Sequence, residues 1–249
     1  LYLGGTSGSL NLVHSPNAII QTQEPNKVNG LIVKFDLKGN YIWSSLSYGG
    51  IDGLTIDNEH SIIITENRPI SNQSFNKEIS KYDKNLTPIW IQKNLGQFYM
   101  PLEKIVTDQN NDIIIVGATA DRINISYGNS YSPTFISSSN NTNTPLAGFL
   151  KKFNSNGTQI FGTYIGEKGN SYVSDVVIGH NNEIFIVGNA SDESKVSYGG
   201  DHFQSNIDNI QVTNTNGNAF LMKFDSSGNP IWGLLAGDKS YTNRYSGVD

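Results

Sequence analysis

The segment Lys34-Phe-Asp-Leu-Lys-Gly-Asn-Tyr-Ile-Trp43 decides the fold of this chain, because the same phrase occurs four times. Each copy begins with Lys and an aromatic residue, continues with Asp or Asn, and ends with Trp or Phe nine residues after the Lys. The anchoring lysines are Lys34, Lys81, Lys152 and Lys223, and their aromatic partners are Trp43, Trp90, Phe161 and Trp232. A phrase that recurs at long spacing is typical of repeat architectures, in which each unit buries its apolar faces against its neighbours.

A turn lies between each lysine and its aromatic partner. In three copies Gly stands three residues after the Asp or Asn, as in Asp36 and Gly39. The Asp or Asn side chain can accept hydrogen bonds from the turn backbone, and Gly supplies a positive φ angle. The pattern predicts a β-hairpin with a bulged loop. The second copy has Leu86 in place of Gly, so we expect its turn to differ.

A second hairpin follows each phrase, so each repeat supplies four strands. The second turn places His60, Asn111 or Asn182 at the left-handed position, and these residue types tolerate it. Short β-branched runs such as Ile113–Val116 flank these turns. Four-stranded units of about 45 residues are typical of β-propeller blades. We therefore predict an all-β fold, a β-propeller of about four four-stranded antiparallel blades, with the recurring Trp or Phe filling the wedge between blades.

The spacing of the repeats predicts two long insertions. The anchoring lysines are separated by 47, 71 and 71 residues, and the excess lies in the polar stretches 121–147 and 192–218. Both stretches are too long for ordinary turns. The repeat that lacks an insertion has only a short link through Pro69. We interpret residues 1–249 as one β-propeller domain or a fragment of one.

The repeat resembles the SBBP-type bacterial β-propeller family. Phe220-Leu-Met-Lys-Phe-Asp-Ser-Ser-Gly-Asn-Pro-Ile-Trp232 is similar to the aromatic strand and Ser-Gly-Asn turn of that family, and Ile184-Phe-Ile-Val-Gly188 to its Tyr-Val-Thr-Gly strand. Leu1-Tyr-Leu-Gly-Gly-Thr-Ser7, followed by His14-Ser-Pro16, is similar to the later part of the repeat. The likeness covers essentially the whole chain. It implies an extracellular, often multi-domain protein without a defined catalytic set.

The resemblance also implies which strand of each blade is innermost, namely the Gly-Leu-Thr-Ile-Asp type. If this innermost strand is counted as the first of each blade, the chain begins with a second strand and stops inside an innermost strand at Ser246–Asp249. Two alternatives follow: four blades closed by strand exchange, or part of a larger propeller. Residue 1 is Leu, so we expect a mature product or a fragment.

The composition excludes several function classes. The 249 residues include 17 Lys and Arg against 22 Asp and Glu, for a net charge of −5. An acidic chain without basic clusters is a poor partner for nucleic acid or an anionic membrane surface. The apolar runs are about four residues long, so we expect no membrane insertion. With no cysteine there is no disulfide and no cysteine-based metal site, and we expect no cofactor.

The histidines lack the spacing of a metal site. His60 and His180 fall in turns, whereas His14 and His202 fall in loops, and no His-x-x-x-His pair is present. Two histidines four residues apart on one helix are the common zinc signature. We therefore expect no metal ion.

Carboxylates offer an alternative in which the chain is a glycoside hydrolase or lyase. Two nearby carboxylates can perform such hydrolysis. The aspartates that recur at turn openings are explained by turn capping, which leaves the non-repeating acids Glu103, Asp175, Glu167 and Asp238 as candidates. Solvated strand ends explain these as well, and we expect no enzyme activity.

Aromatic residues in the two insertions are the candidate ligand-binding residues. They are Tyr127, Tyr131, Phe135, Tyr198 and Phe203. Aromatic rings among Asn, Ser and Gly suit sugar or protein surfaces; alternatively, they anchor the insertions to the blades. The recurring lysines are interpreted as outward-facing residues whose stems cover apolar surface.

These observations predict a non-catalytic extracellular β-propeller that acts as a structural scaffold and protein-interaction module. The alternative is a carbohydrate-binding or adhesin module that uses the aromatic insertion loops. In either case the expected partner is a protein or glycan at the cell surface.

Overall fold

The structure is a computed structural model of the chain. It describes residues 1–8, 15–16, 18–19, 29–71, 74–92, 95, 102–135, 146–166, 171–190, 196 and 218–236. Within these residues, fifteen strands form four antiparallel sheets, and no helix occurs.

Each sheet is built from strands that follow one another in the sequence. Sheet 1 contains β1 (Tyr2–Ser7), β2 (Asn29–Phe35) and β3 (Tyr41–Ser47). Sheet 2 contains β4 (Gly50–Ile56), β5 (Ile62–Ser71), β6 (Ser74–Tyr82) and β7 (Pro88–Gln92). Sheet 3 contains β8 (Leu102–Thr107), β9 (Ile113–Thr119), β10 (Ala147–Phe153) and β11 (Gln159–Ile165). Sheet 4 contains β12 (Ser171–Ile178), β13 (Ile184–Ala190), β14 (Asn218–Phe224) and β15 (Pro230–Ala236).

The predicted fold class is confirmed. Three sheets are four-stranded antiparallel meanders of the kind that forms a propeller blade, and sheet 1 has three strands. The recurring lysine lies opposite its aromatic partner in every sheet, for example Lys34 opposite Trp43 and Lys223 opposite Trp232. In sheet 1 the lysine strand β2 pairs with β1, as β6 pairs with β5 in sheet 2. By this pairing, β1 corresponds to β5, the second strand of sheet 2.

The chain divides into two compact units. The N-terminal unit, Leu1–Gln97, contains sheets 1 and 2, and the C-terminal unit, Phe98–Asp249, contains sheets 3 and 4. The prediction of a single propeller domain, whole or partial, stays a prediction. The innermost strand predicted at 246–249 lies outside the described residues.

The turn between the last two strands has one geometry in all four sheets. Gly39, Gly157 and Gly228 have φ angles of +83°, +82° and +87°, and Leu86 has +70°. The backbone N–H of Leu86 donates to the Asp83 carbonyl at 3.0 Å, as that of Gly228 does to Asp225 at 3.1 Å. The expectation that the Leu86 turn differs was therefore wrong. The remaining hydrogen bonds of the turn hold the leucine in a conformation that glycine adopts without strain.

The turns between the first two strands are also as predicted. His60, Asn111 and Asn182 have φ angles of +63°, +61° and +59°. Asp57 and Asp108 open two of these turns, and each accepts two backbone N–H groups through Oδ1. Residue types that tolerate the left-handed region thus stand at the predicted positions.

A shared core holds the two sheets of the C-terminal unit together. Phe161 on β11 is fully buried in a cluster with Phe220, Met222 and Phe224 of sheet 4. A Cβ atom added to Gly228, in the last turn of sheet 4, would lie 2.8 Å from the Phe161 ring. The recurring aromatic at this position therefore fills the space between two sheets, as predicted.

The N-terminal unit repeats this arrangement with different side chains. Its core contains Ile32 of sheet 1 together with Ile62, Ile64 and Leu86 of sheet 2, and the half-buried Trp43 packs against it. Trp90 and Trp232 are also half-buried, and Trp232 makes an edge contact with Phe185 in its own sheet.

Substitution of the turn glycines separates backbone strain from the fit against Phe161. Gly39→Ala meets only the cost of a positive φ, about 1 kcal/mol, because no atom lies within 4 Å of the added Cβ. Gly228→Ala also meets the Phe161 ring, and we expect a loss of about 3 kcal/mol in the free energy of unfolding. Urea unfolding measures both variants. Equal losses would contradict the close contact.

Candidate functional site

Two of the recurring lysines form buried ion pairs. Lys81 Nζ lies 2.8 Å from Asp57 Oδ2, and their side chains are 5% and 0% exposed. Lys152 Nζ lies 2.8 Å from Asp108 Oδ2 and 3.2 Å from Asp112 Oδ2. The prediction that these lysines face outward was wrong. Each lies in the interior because the turn between the first two strands carries a carboxylate that neutralises it.

In the other two sheets, the recurring lysine is stabilised by different partners. In sheet 4, Gly179 replaces the turn aspartate, and Glu183, four residues later, pairs with Lys223 at 2.9 Å. In sheet 1, the Lys34 ammonium lies 5.1 Å from the Tyr2 ring centre and 5.9 Å from that of Trp43. Aromatic faces attract a cation at such distances. All four recurring lysines therefore serve the sheets that contain them.

Recurring aspartates at the last turn are likewise engaged in folding. Asp36 Oδ1 accepts the backbone N–H groups of Lys38 and Asn40 at 2.8 Å. The Asn40 amide and backbone N–H stabilise the carboxylate and hold the pKa of Asp36 below its ordinary value. Hydrogen bonds from Thr87 and Asn85 lower the pKa of Asp83 in the same way. These groups are turn caps rather than general acids.

The buried and the partly exposed ion pairs differ in their contribution to stability. Asp57→Asn leaves Lys81 as a buried cation without its carboxylate, and we expect the free energy of unfolding to fall by about 3 kcal/mol. Glu183→Gln is the matched variant at a pair whose side chains are about one-fifth exposed, and its loss is expected to be much smaller. Chemical denaturation compares them. An equally large loss for Glu183→Gln would show that burial does not set the difference.

The acids considered for hydrolysis do not form a described pair. Asp175 Oδ1 lies 3.2 Å from Lys104 Nζ, so its partner is a cation. Glu103 lies in β8, but its side chain is not among the described parts of the chain, and Glu167 and Asp238 lie outside the described residues.

The described histidines lie in exposed turns. His60 and His180 occupy corresponding turns of sheets 2 and 4, whereas His14 and His202 lie outside the described residues. No group of three or more His, Asp or Glu side chains suited to a metal ion occurs in the part of the chain that the structure describes. The same residues contain no helix with the length and hydropathy needed to cross a membrane.

The first insertion lies along the outer strand of sheet 3. It connects Thr119 at the end of β9 to Ala147 at the start of β10, close to the predicted bounds of 121–147. Tyr127 and Gly162 exchange two backbone hydrogen bonds, of 3.1 and 2.9 Å. The insertion is therefore fixed to β11 at this point by an isolated β-bridge.

A glycine on the outer strand makes this docking possible. A Cβ atom on Gly162 would lie 2.0 Å from the carbonyl oxygen of Ile125, which is fully buried. The second insertion repeats the contact, because a Cβ atom on Gly233 of β15 would lie 2.0 Å from the Val196 carbonyl oxygen. The two contacts are 71 residues apart, as are the Ser-Tyr-Gly triplets at 126–128 and 197–199. The repeated triplet is the sequence signal of this docking contact.

The structure separates the candidate aromatic residues of the first insertion. Tyr127 is 54% exposed. Tyr131 makes an edge contact with Phe224 of sheet 4, with ring centres 6.2 Å apart. The Phe135 ring stacks on Tyr164, with ring centres 5.7 Å apart. The Arg122 guanidinium lies 5.7 Å from the centre of the same Phe135 ring. Tyr198 and Phe203 lie outside the described residues.

A small apolar surface remains exposed on this insertion and the strand beside it. Ile123 is 82% exposed and Ile160 on β11 is 39% exposed. The α-carbon of Gly128 approaches the Ile160 carbonyl so closely that a Cβ would lie 2.6 Å from it. We call Ile123, Tyr127 and Ile160 the insertion surface.

Two titratable side chains lie under the insertion. Lys151 Nζ donates to the Asn124 carbonyl at 2.8 Å, and the Tyr164 hydroxyl donates to the Asp121 carbonyl at 2.9 Å. Burial lowers the pKa of Lys151 to about 8, although the nearby Asp121 opposes the shift. Burial, reinforced by Asp121, raises the pKa of Tyr164 to about 12. Both groups bind the insertion to the sheet.

Lys151 predicts a pH dependence of stability. Because the pKa is about 8 when folded and 10.5 when unfolded, the unfolded chain binds more protons between these values, and stability rises with pH across that window. Lys151→Met removes the buried charge but also the bond to Asn124, and we expect a net gain of about 2 kcal/mol at neutral pH. The Lys151→Met substitution also abolishes the rise of stability with pH. Denaturant unfolding on both sides of the window checks this, and an unchanged pH slope would refute it.

Comparisons with known proteins add little. No protein-family model matches the chain, and no curated protein is similar to it. Similar solved structures include the crystal structure of a protein of unknown function from Bacteroides caccae, which is 10% identical with a TM-score of 0.37 and covers 86% of this chain and 77% of that chain. A likeness at this level carries no argument about function.

Proposed function

We propose that this chain is a non-catalytic extracellular scaffold of propeller-like blades, whose insertions provide the surface for a partner protein. The observation that carries the proposal is the docking of the first insertion onto β11. It turns a long polar connection into a fixed edge with exposed apolar side chains. Interaction surfaces on loops are effective when a rigid scaffold positions them.

The use of the charged repeat positions supports a non-catalytic role. Lys81 and Lys152 neutralise turn carboxylates, and Asp36 and Asp83 bind turn N–H groups. A catalytic acid or base needs an unengaged proton site facing a substrate. These groups are committed to the fold, so function is expected where the repeat is interrupted.

The character of the insertion surface favours a protein partner over a glycan. Tyr131 and Phe135 pack on the blades, while Ile123, Tyr127 and, on β11, Ile160 are exposed. Aliphatic side chains next to a tyrosine are typical of the centre of a protein interface. The resemblance to the SBBP-type repeat family supports an extracellular or cell-surface location and a scaffold role.

A random peptide library displayed on phage tests the proposal. We expect panning against the chain to enrich peptides that lose about tenfold or more in affinity for the variant Ile123→Ser/Tyr127→Ser, because exposed apolar anchors carry most interface energy. The matched control is Leu37→Ser, since Leu37 is 98% exposed but lies in a turn of sheet 1.

Two results would contradict the proposal. Peptides that bind the double variant and the parent chain equally well would place the recognition surface elsewhere. Hydrolysis of a polysaccharide by the purified chain, lost on substitution of a described carboxylate such as Asp175, would replace the scaffold with an enzyme.

A further inference from the structure

A groove of about 200 Å³ lies within the N-terminal unit, between sheets 1 and 2. Trp43 of β3 forms one wall, the turn residues Lys84, Asn85 and Leu86 form another, and Ser15 and Pro16 complete it. We call this the junction groove.

The corresponding place in the C-terminal unit is filled. There, Phe161 takes the position of Trp43, and its ring touches Gly228, which takes the position of Leu86. The Asn129 side chain reaches the same turn and donates to Asn229 Oδ1 at 2.6 Å and to the Ser227 carbonyl at 3.4 Å. The space beside the recurring aromatic residue is therefore filled at Phe161 in the C-terminal unit and open at Trp43 in the N-terminal unit.

In the N-terminal unit, the residue that lines the groove differs from the residue at the same position of the other repeats. Leu86 has a φ angle of +70°, which the other three turns assign to glycine. A leucine in the left-handed region is strained by about 1 to 2 kcal/mol. Strain of this kind is found at binding sites, where the side chain is needed for its surface.

The walls of the junction groove combine an aromatic platform with polar groups. The Trp43 indole is held by an edge contact with Tyr2, with ring centres 5.9 Å apart. The Ser15 backbone N–H donates to the Ser44 carbonyl at 2.9 Å, so that wall is fixed to β3. Lys84 and Asn85 are exposed and contribute an ammonium and an amide.

We propose that the junction groove binds a single pyranose ring of a saccharide. The C–H face of the ring stacks on the Trp43 indole, and the hydroxyl groups bond to Asn85, Lys84 and Ser15. A pyranose has this pairing of one apolar face with a rim of hydroxyls, and aromatic side chains beside amides accommodate both.

The size of the groove limits the ligand. Its volume of about 200 Å³ is below that of a drug-sized site, so we expect one sugar ring rather than a longer saccharide. Positive charge lies near the aromatic platform, because Lys84 lines the groove and the Lys34 ammonium lies 5.9 Å from the Trp43 ring centre. The inference goes beyond the proposed scaffold function and does not depend on it.

Saturation-transfer NMR with the intact chain tests the groove. The probes are the methyl glycosides of glucose, galactose and mannose. We expect at least one of them to bind with a Kd of about 1 to 10 mM, a free energy between about −3 and −4 kcal/mol.

Matched substitutions locate the site. Asn85→Ala and Lys84→Ala each remove a hydrogen-bonding group, and we expect the Kd to rise about fivefold to tenfold. Asn156→Ala, at the equivalent turn position of sheet 3, and Lys38→Ala, in the turn of sheet 1, are the controls and should leave the Kd unchanged. All four residues are exposed or in turns, and thermal melting confirms that each variant folds.

Two outcomes would overturn the inference. They are the absence of saturation transfer to every glycoside and an equal loss of affinity in Asn156→Ala. Retained sugar binding with no peptide recognition would leave the groove in place and remove only the scaffold proposal, so the two failures are distinguishable.

Discussion

The structure depends on one constraint, which is clearest in sheet 3: both faces of a sheet are buried. Every residue of Ile113–Thr119 and Ala147–Phe153 is buried, although successive residues of a strand point to opposite faces. Such a sheet is not stable with either face in water. In the C-terminal unit, sheet 4 packs through Phe161 against one face of sheet 3. The second copy of the repeat thus buries a face of the first.

Burial of both faces creates an electrostatic problem at the recurring lysine. A lysine in the middle of a buried sheet requires a carboxylate or an aromatic face beside it. The turn between the first two strands provides Asp57 or Asp108, and where Gly179 replaces the aspartate, Glu183 provides the charge from the end of the same turn. Lys34 uses Tyr2 and Trp43 instead. The recurring charges are therefore part of folding, which directs the search for function to places where the repeat changes.

The repeat changes in two ways that alter the surface. Insertions dock on outer strands through Gly162 and Gly233, whose lack of a side chain admits a backbone carbonyl. Leu86 replaces a turn glycine and faces a groove that its counterpart in the C-terminal unit lacks because Phe161 and Asn129 fill it. The first change offers extended surface for a protein, and the second offers a small concave site.

Periodic features of the sequence were sufficient to predict the all-β class, the turns other than the one at Leu86, and the limits of the insertions. Each depends on residues close together in the chain: an Asp followed by Gly in a turn, or β-branched runs between turns. The exposure of the candidate aromatics could not be predicted, because Tyr127 and Phe135 have similar sequence surroundings but only Phe135 has a ring stacked on Tyr164.

Local sequence thus specified the strands and their turns, since hydrogen bonds within a hairpin join residues only a few positions apart. The burial of Lys81 and Lys152, the docking of Ile125 against Gly162 and the opening beside Trp43 required the tertiary structure. Each of these depends on atoms brought together from distant segments, where the volume of one side chain decides whether a space is filled or left open.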